Sequence, residues 1–539
     1  MPRNCRLQAT LVASVLATVL SATLASAQQP LPPLPKPETP PPVHPILQSY
    51  KPVTADRLKQ PEDSDWLMYR RTYDSWGYSP LAQIAPENAA RLKPVWTLVT
   101  GQVEGHQAPP MVNNGVMFVA TPGNQVLAID AKKGDLLWRF KRPIPEDILL
   151  LHPTSRGVGL LGDKVYFAAA DAVLVALDAK TGNEVWNATV EDYRNGYYMS
   201  LAPLVADDKV MVGVSGGELG VRGFVAAFDA ETGKPAWKAY AVPAPGEPGS
   251  ETWPTGDQWK TGGGSVWITG AYDPATNLTF WGTGNGGPWM GDQRPGDNLY
   301  TSSTMAIDAT TGKVKGHFQY HPNDSWDWDE VNPPILVDYQ RGGRTVKGLV
   351  YAARNGYLWM LERTVDKINF VDGKPFVKQN VFTKLDPETG RPEIDPARKP
   401  GTGKKAEFCP SLWGARIGRR WRTARRRVCS MSQPMTISVT RLPESRLPIR
   451  RVSVIRGWRR RLGCSLWFRV PTTSASCRPG TSTPARRSGP SRSPIRHFGG
   501  RYWRPPAVCC SWAAPTIAIS APSTPPTARS CGSSAPVRG

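Results

Sequence analysis

The stretch Val126-Leu127-Ala128-Ile129-Asp130-Ala131-Lys132-Lys133-Gly134, closing at Trp138, decides the fold. An apolar, strand-like run meets an aspartate, four residues later comes a glycine, and a second strand follows. Asp supplies the side-chain acceptor of a tight turn, and Gly takes its positive-φ position. The pattern recurs at Val175 to Gly182 with Trp186, at Val225 to Gly233 with Trp237, and at Met305 to Gly312. The aspartates are Asp130, Asp178, Asp229 and Asp308, so two of the three spacings are close to 50 residues. A period of that size built from hairpins predicts an all-β propeller of four-stranded blades. Each trailing Trp is expected to dock its blade on the next. Between the third and fourth repeats, residues 243–298 form a long Gly- and Trp-rich insertion, read as loop, where binding sites tend to sit.

Around this body lie three segments of different character. Residues 1–27 carry Arg3 and Arg6, then the apolar run Leu11 to Leu24, then Ala25-Ser26-Ala27, the layout of a cleaved export signal. Residues 28–45 are a proline-rich lead-in with nine prolines between Pro30 and Pro45, an extended spacer rather than core. Residues 46–414 hold the repeats, and residues 415–539 are a tail. The net charge of +22 sits wholly in that tail, which has 25 Arg, no Lys and one acid, Glu444. Subtracting these from the totals of 66 basic and 44 acidic residues leaves 41 and 43, so the body is nearly neutral. A nucleic-acid partner is therefore not expected, although the tail's arginines with Trp421, Trp458, Trp467 and Trp503 are the residue types that bind phosphate and stack bases.

Four further motifs bear chemistry. They are Ser215-Gly216-Gly217-Glu218, Gly282-Thr283-Gly284-Asn285, Trp326-Asp327-Trp328-Asp329 and Arg354-Asn355-Gly356. Taken singly each has an ordinary reading: Glu218 as a solvated acid, Trp267 as a core indole, Asp324, Asp327 and Asp329 as turn residues. In this order and spacing, with the blade repeat, residues 60 to 414 resemble the quinoprotein alcohol dehydrogenases, enzymes dependent on pyrroloquinoline quinone (PQQ).

The resemblance implies an eight-bladed propeller with PQQ and a metal ion as cofactors. Glu218, Asn285 and Asp327 match the metal ligands, oxygen donors suited to a hard cation, and Asp327 also matches the catalytic base. Asp329 stands where lanthanide-using relatives carry an added carboxylate, so a lanthanide is expected, with calcium as the alternative. Trp267 matches the indole under the planar cofactor. Arg156, Ser200, Ser215, Gly216, Gly217, Arg354 and Asn355 fall at its polar contacts. Where many relatives carry adjacent cysteines this chain reads Leu150-Leu151-His152, a departure that touches electron transfer. The implied partners are a small alcohol, a periplasmic cytochrome c and, in some members, a second copy in a homodimer; stable membrane insertion is not expected. A non-catalytic propeller scaffold and a PQQ sugar dehydrogenase stay open as alternatives.

At Ser411-Leu412-Trp413-Gly414 the pattern stops. Back-translating the tail and grouping each codon's third base with the next two turns Pro522 to Ser534 into FDAANGEILWEF, the blade motif again. One base lost after Trp413 accounts for this. As written, the chain is thus expected to lack its closing blades and the contacts on them, and to be inactive.

Overall fold

A computed structural model of the chain describes residues 42–103 and 105–415, together with the backbone of Met435–Ile437. The export signal and nearly all of the lead-in and of the Arg-rich tail lie outside the described residues. Among the described residues no helix is long and apolar enough to cross a membrane.

Among the described residues, five antiparallel four-stranded sheets follow one another along the chain, each a meander of consecutive strands. The first comprises β1–β4 (Met111–Asn113, Val116–Thr121, Gln125–Asp130, Leu136–Lys141). The second is β5–β8 (Val158–Leu161, Lys164–Ala168, Val173–Asp178, Glu184–Thr189), and the third β9–β12 (Leu204–Ala206, Lys209–Gly213, Phe224–Asp229, Pro235–Tyr240). The fourth is β13–β16 (Ala271–Asp273, Leu278–Gly282, Ser303–Asp308, Val314–Gln319), and the fifth β17–β20 (Ile335–Arg341, Arg344–Ala352, Tyr357–Arg363, Ile368–Pro375). Two short hairpin-like pairs follow, β21–β22 (Phe382–Leu385, Pro392–Ile394) and β23–β24 (Ala406–Phe408, Met435–Ile437).

Burial explains the composition of each blade. The third strands β3, β7, β11 and β15 are buried along almost their whole length on both faces, so they read as continuous apolar runs. The fourth strands β4, β8 and β12 are largely exposed or half-buried. In all four of these blades the pairing of third and fourth strands shifts register just before the turn aspartate, for instance between Ala128 and Ile129. Such a shift bends the outer strand and strengthens its twist. The turns form as the sequence implies: Asp178 Oδ1 accepts the backbone N–H of Lys180 at 3.0 Å and of Thr181 at 2.8 Å.

Docking between blades follows one rule. Trp138 of the first blade donates from Nε1 to the Ala179 carbonyl at 3.0 Å, and its ring covers Gly182 so closely that a Cβ there would lie 2.7 Å away. Trp237 does the same to Ala309 and Gly312, and the Trp186 ring covers Gly233. These glycines are needed twice over, for φ near +70° and for the indole above them. Two of the docking aromatics are not trailing Trp residues of the sequence repeat. Trp96 bonds Ala131 at 3.1 Å and covers Gly134, and Phe370 of the fifth blade covers Gly390 in the turn Asp386-Pro387-Glu388-Thr389-Gly390. The insertion at 243–298 is not all loop, because it contains β13 and β14 of the fourth blade.

Candidate active site

Short-turn segments place the motif residues. Ser215 and Gly216 lead into a 3-10 turn, Gly217–Leu219, flanked by Gly216 at φ 103° and Gly220 at φ 79°. A Cβ on Gly216 would strike the Gly196 carbonyl at 2.2 Å, so this glycine is fixed by backbone approach whatever it binds. The turn presents Glu218, which keeps exposed surface while its carboxyl is crowded by protein. Burial and then the charge of Asp329 push that carboxyl above the usual carboxylate range. The nearby Asn285 side chain offsets part of this rise.

Asp327 and Asp329 leave the same loop on alternate residues. Asp327 has φ of 63°, a conformation few non-glycine residues adopt. Its carboxyl is pushed well above the ordinary range by burial and by Asp329. Asp329 is buried rather than a surface acid: Oδ1 accepts the backbone N–H of Asn285 at 2.8 Å, and Oδ2 lies 3.4 Å from Nη1 of Arg354. Its own carboxyl is raised by burial, against the pull of Arg354. Arg354 also reaches within 4.0 Å of Asp327 and donates to the Leu412 carbonyl at 2.9 Å. Glu218, Asn285, Asp327, Asp329 and Arg354 therefore share one neighbourhood.

The remaining cofactor candidates fall into two groups. Arg156 is buried with its guanidinium 4.6 Å from the Trp267 ring centroid, and Nη1 donates to Ser200 Oγ at 2.7 Å. Ser200 Oγ in turn lies 3.0 Å from Ser215 Oγ. Burial draws the Arg156 guanidinium below its ordinary value. Trp267 is half-buried, and its side chain lies close enough to Asp329 to favour that carboxylate's charged form, which sets this aromatic face beside the carboxylates. Gly217 faces Ser265, where a Cβ would come within 3.1 Å of Oγ. Asn355 differs from the expectation of a cofactor contact. Its Oδ1 accepts from Tyr357 N at 3.1 Å and Trp359 Nε1 at 3.4 Å, and its Nδ2 lies 3.4 Å from the Tyr320 carbonyl. That side chain is turned into the blade and committed there.

Buried charges that the motifs do not announce brace the site. Glu330 is fully buried and accepts the backbone N–H of Arg354 at 3.0 Å and of Asn355 at 3.3 Å; burial pushes its carboxyl up to about 8. Asp324 accepts from the backbone of Trp326, Asp327 and Trp328. Burial would raise it, but the hydrogen bond from His321 and nearby positive charge hold it below the usual range.

The chemistry of the donors fits a hard cation. Asn285 Oδ1 is buried with no hydrogen-bond partner among the described residues, an uncommon and costly condition for an amide oxygen. Beside it stand three carboxyls whose negative charges oppose one another. Among the described residues no three His, Cys, Asp or Glu side chains already close on one point; the set relies on an amide oxygen, and Asp329 is paired with Arg354.

Comparison with known proteins places this arrangement. The family described as PQQ glucose/ethanol/alcohol dehydrogenase, β-propeller domain, matches residues 66–378. The chain belongs to this quinoprotein family. It is 40% identical over 365 residues to the quinoprotein alcohol dehydrogenase PedH of Pseudomonas putida, covering 63% of this chain and 61% of that protein. It is 36% identical to the lanthanide-dependent methanol dehydrogenase of Methylacidiphilum fumariolicum, covering 66% and 62%. Among solved structures, a europium-containing methanol dehydrogenase superposes with a TM-score of 0.64 at 34% identity over 68% of each chain. The chain spans about 60% of the length of these two curated quinoprotein relatives.

Proposed function

We propose that this site holds PQQ beside a hard cation and oxidises alcohols to aldehydes, with Asp327 as the base. The observation that carries the reading is the unpartnered Oδ1 of Asn285 set among Glu218, Asp327 and Asp329. When bound, PQQ supplies a two-electron acceptor for the hydride leaving the alcohol carbon, and the cation polarises it. Glu218, Asn285, Asp327 and Asp329 would hold the cation, and the half-buried face of Trp267 with Arg156, Ser200 and Ser215 would hold the planar cofactor's rim.

Asp327 takes the hydroxyl proton on its carboxylate, a transfer that requires the acid to be ionised and within hydrogen-bond reach. Arg354, between Asp327 and Asp329, favours that ionised form and fixes both carboxyls in place. Asp329 adds a third carboxylate, which suits a trivalent ion better than calcium; the family includes a lanthanide-dependent methanol dehydrogenase. Export through residues 1–27, transfer of electrons to a periplasmic cytochrome c and the altered reading frame after residue 414 belong to the same proposal.

The test compares wild type with Asp327→Ala and Asp329→Ala, in the full chain and in a version with the lost base restored. Terbium binding should weaken in both variants, and alcohol-dependent dye reduction by the restored, PQQ-loaded protein should vanish in Asp327→Ala. Retention of terbium affinity in both folded variants would overturn the assignment.

A further inference from the structure

A carboxylate that touches neither alcohol nor cation sets the backbone from which Asp327 projects. Asp324 is fully buried, and its two oxygens divide their work. Oδ2 accepts the N–H of Asp327 at 3.0 Å and of Trp326 at 3.3 Å; Oδ1 accepts the N–H of Trp328 at 3.4 Å and the His321 Nε2 bond at 2.9 Å. Three successive amides thus converge on one side chain at the point where Asp327 takes its positive φ. A non-glycine residue in that region persists only where its surroundings fix it. The opposite side of Asp324 is held too: Arg294, wholly buried, donates to the Asp324 carbonyl and packs beneath Gly286, next to Asn285. His321 then turns its other nitrogen toward Glu330, 3.7 Å away, and Glu330 holds the backbone of Arg354.

We infer that Asp324 is the positioning residue of the Asp327 loop, and that through His321 and Glu330 it keeps Asp327 and Arg354 in register. This rests on the reading of Asp327 as a cation ligand. Removing the Asp324 carboxylate should leave the fold of the blades but release the loop, so Asp327 no longer stands where the ligand set needs it.

The test is a double-mutant cycle on terbium affinity in the full chain, read by tryptophan-sensitised luminescence, with unfolding curves recorded for every variant. Asp324→Ala is expected to weaken binding about 10- to 100-fold, the usual cost of removing a side chain that orients a metal ligand. Asp324→Asn keeps an acceptor for the amides and should recover most of that loss. In the Asp327→Ala background, Asp324→Ala should cost nothing further, because what it positions is gone. Should Asp324→Ala not fold, the same cycle with His321→Ala, which removes the link between Asp324 and Glu330, decides. A purely structural role predicts lower stability with terbium affinity intact, or losses that add in the double variant; either result overturns the inference. If Asp327→Ala alone leaves affinity unchanged, the reading of Asp327 fails, and that outcome is distinct from additivity.

Discussion

Gly284→Ala should damage the cation site without disturbing the propeller. Gly284 does not sit at positive φ, so its backbone accepts alanine. The new methyl group would lie 2.6 Å from Oδ1 of Asp329 and 3.0 Å from Oγ of Ser265. Carbon and oxygen require well over 3 Å, so the carboxylate must retreat by roughly half an ångström or more. Retreat stretches the 2.8 Å bond from the Asn285 N–H, which links Asp329 to the segment bearing the orphan amide oxygen. Overpacking of this kind costs about 1–3 kcal/mol in stability, and a displaced ligand about 10- to 100-fold in metal affinity. Terbium titration, with calcium as competitor, should show the lanthanide losing more than calcium does if, as proposed, Asp329 is the carboxylate that favours the trivalent ion. In the Asp329→Ala background the same substitution should have little further effect. Undiminished terbium affinity in folded Gly284→Ala would refute the placement of Asp329 as a ligand.

Three further outcomes follow from the same structure. Asp329→Ala in the restored, PQQ-loaded protein should lower lanthanide-supported dye reduction while changing calcium-supported turnover little; equal losses with both ions would remove the argument for a lanthanide. Trp138→Ala should cost about 3–5 kcal/mol in urea unfolding, the range for truncating a buried aromatic, whereas Trp413→Ala, exposed at 61%, should stay within about 0.5 kcal/mol; similar values for the two would deny the docking rule. Resequencing the gene around codon 414 should reveal a missing base whose restoration opens a frame with lysines, acids and another Asp-x-x-x-Gly-x-x-x-Trp turn; a confirmed frame with a soluble tail that binds DNA would contradict it.

Much of the fold was legible because its signals are local. The turn aspartate, its glycine and the trailing indole lie within nine residues, and each has its own physical reason to be where it is. The fifth blade lacked that signature: Arg363 and Thr364 replace the aspartate turn, and Thr364 bonds Asp366 instead, so only the alternation of β19 announced it. Asp386 to Gly390 did carry the turn pattern, but a phenylalanine from the preceding blade does the docking, and no Trp marked it. Trp96 was silent because it lies before the first repeat, outside any described strand. In the candidate site, the residues the structure brings together around Asn285 come from contiguous motifs, while no motif pointed to the bracing by Glu330, His321 and Arg294, and Asp324 read only as a turn residue. Their importance comes from burial and from bonds to distant backbone, which no spacing reveals. Asn355 was named through the family motif alone, and its side-chain bonds to Tyr357, Trp359 and Tyr320 are not ones that spacing reveals.

The measurement that tests the central claim most directly is alcohol-dependent dye reduction by the PQQ-loaded, frame-restored protein with lanthanum, comparing wild type with Asp327→Ala. The account predicts turnover in wild type and a loss of roughly a hundredfold or more in the folded variant, the scale of removing a general base. A folded Asp327→Ala protein that oxidises alcohol at near the wild-type rate would contradict it.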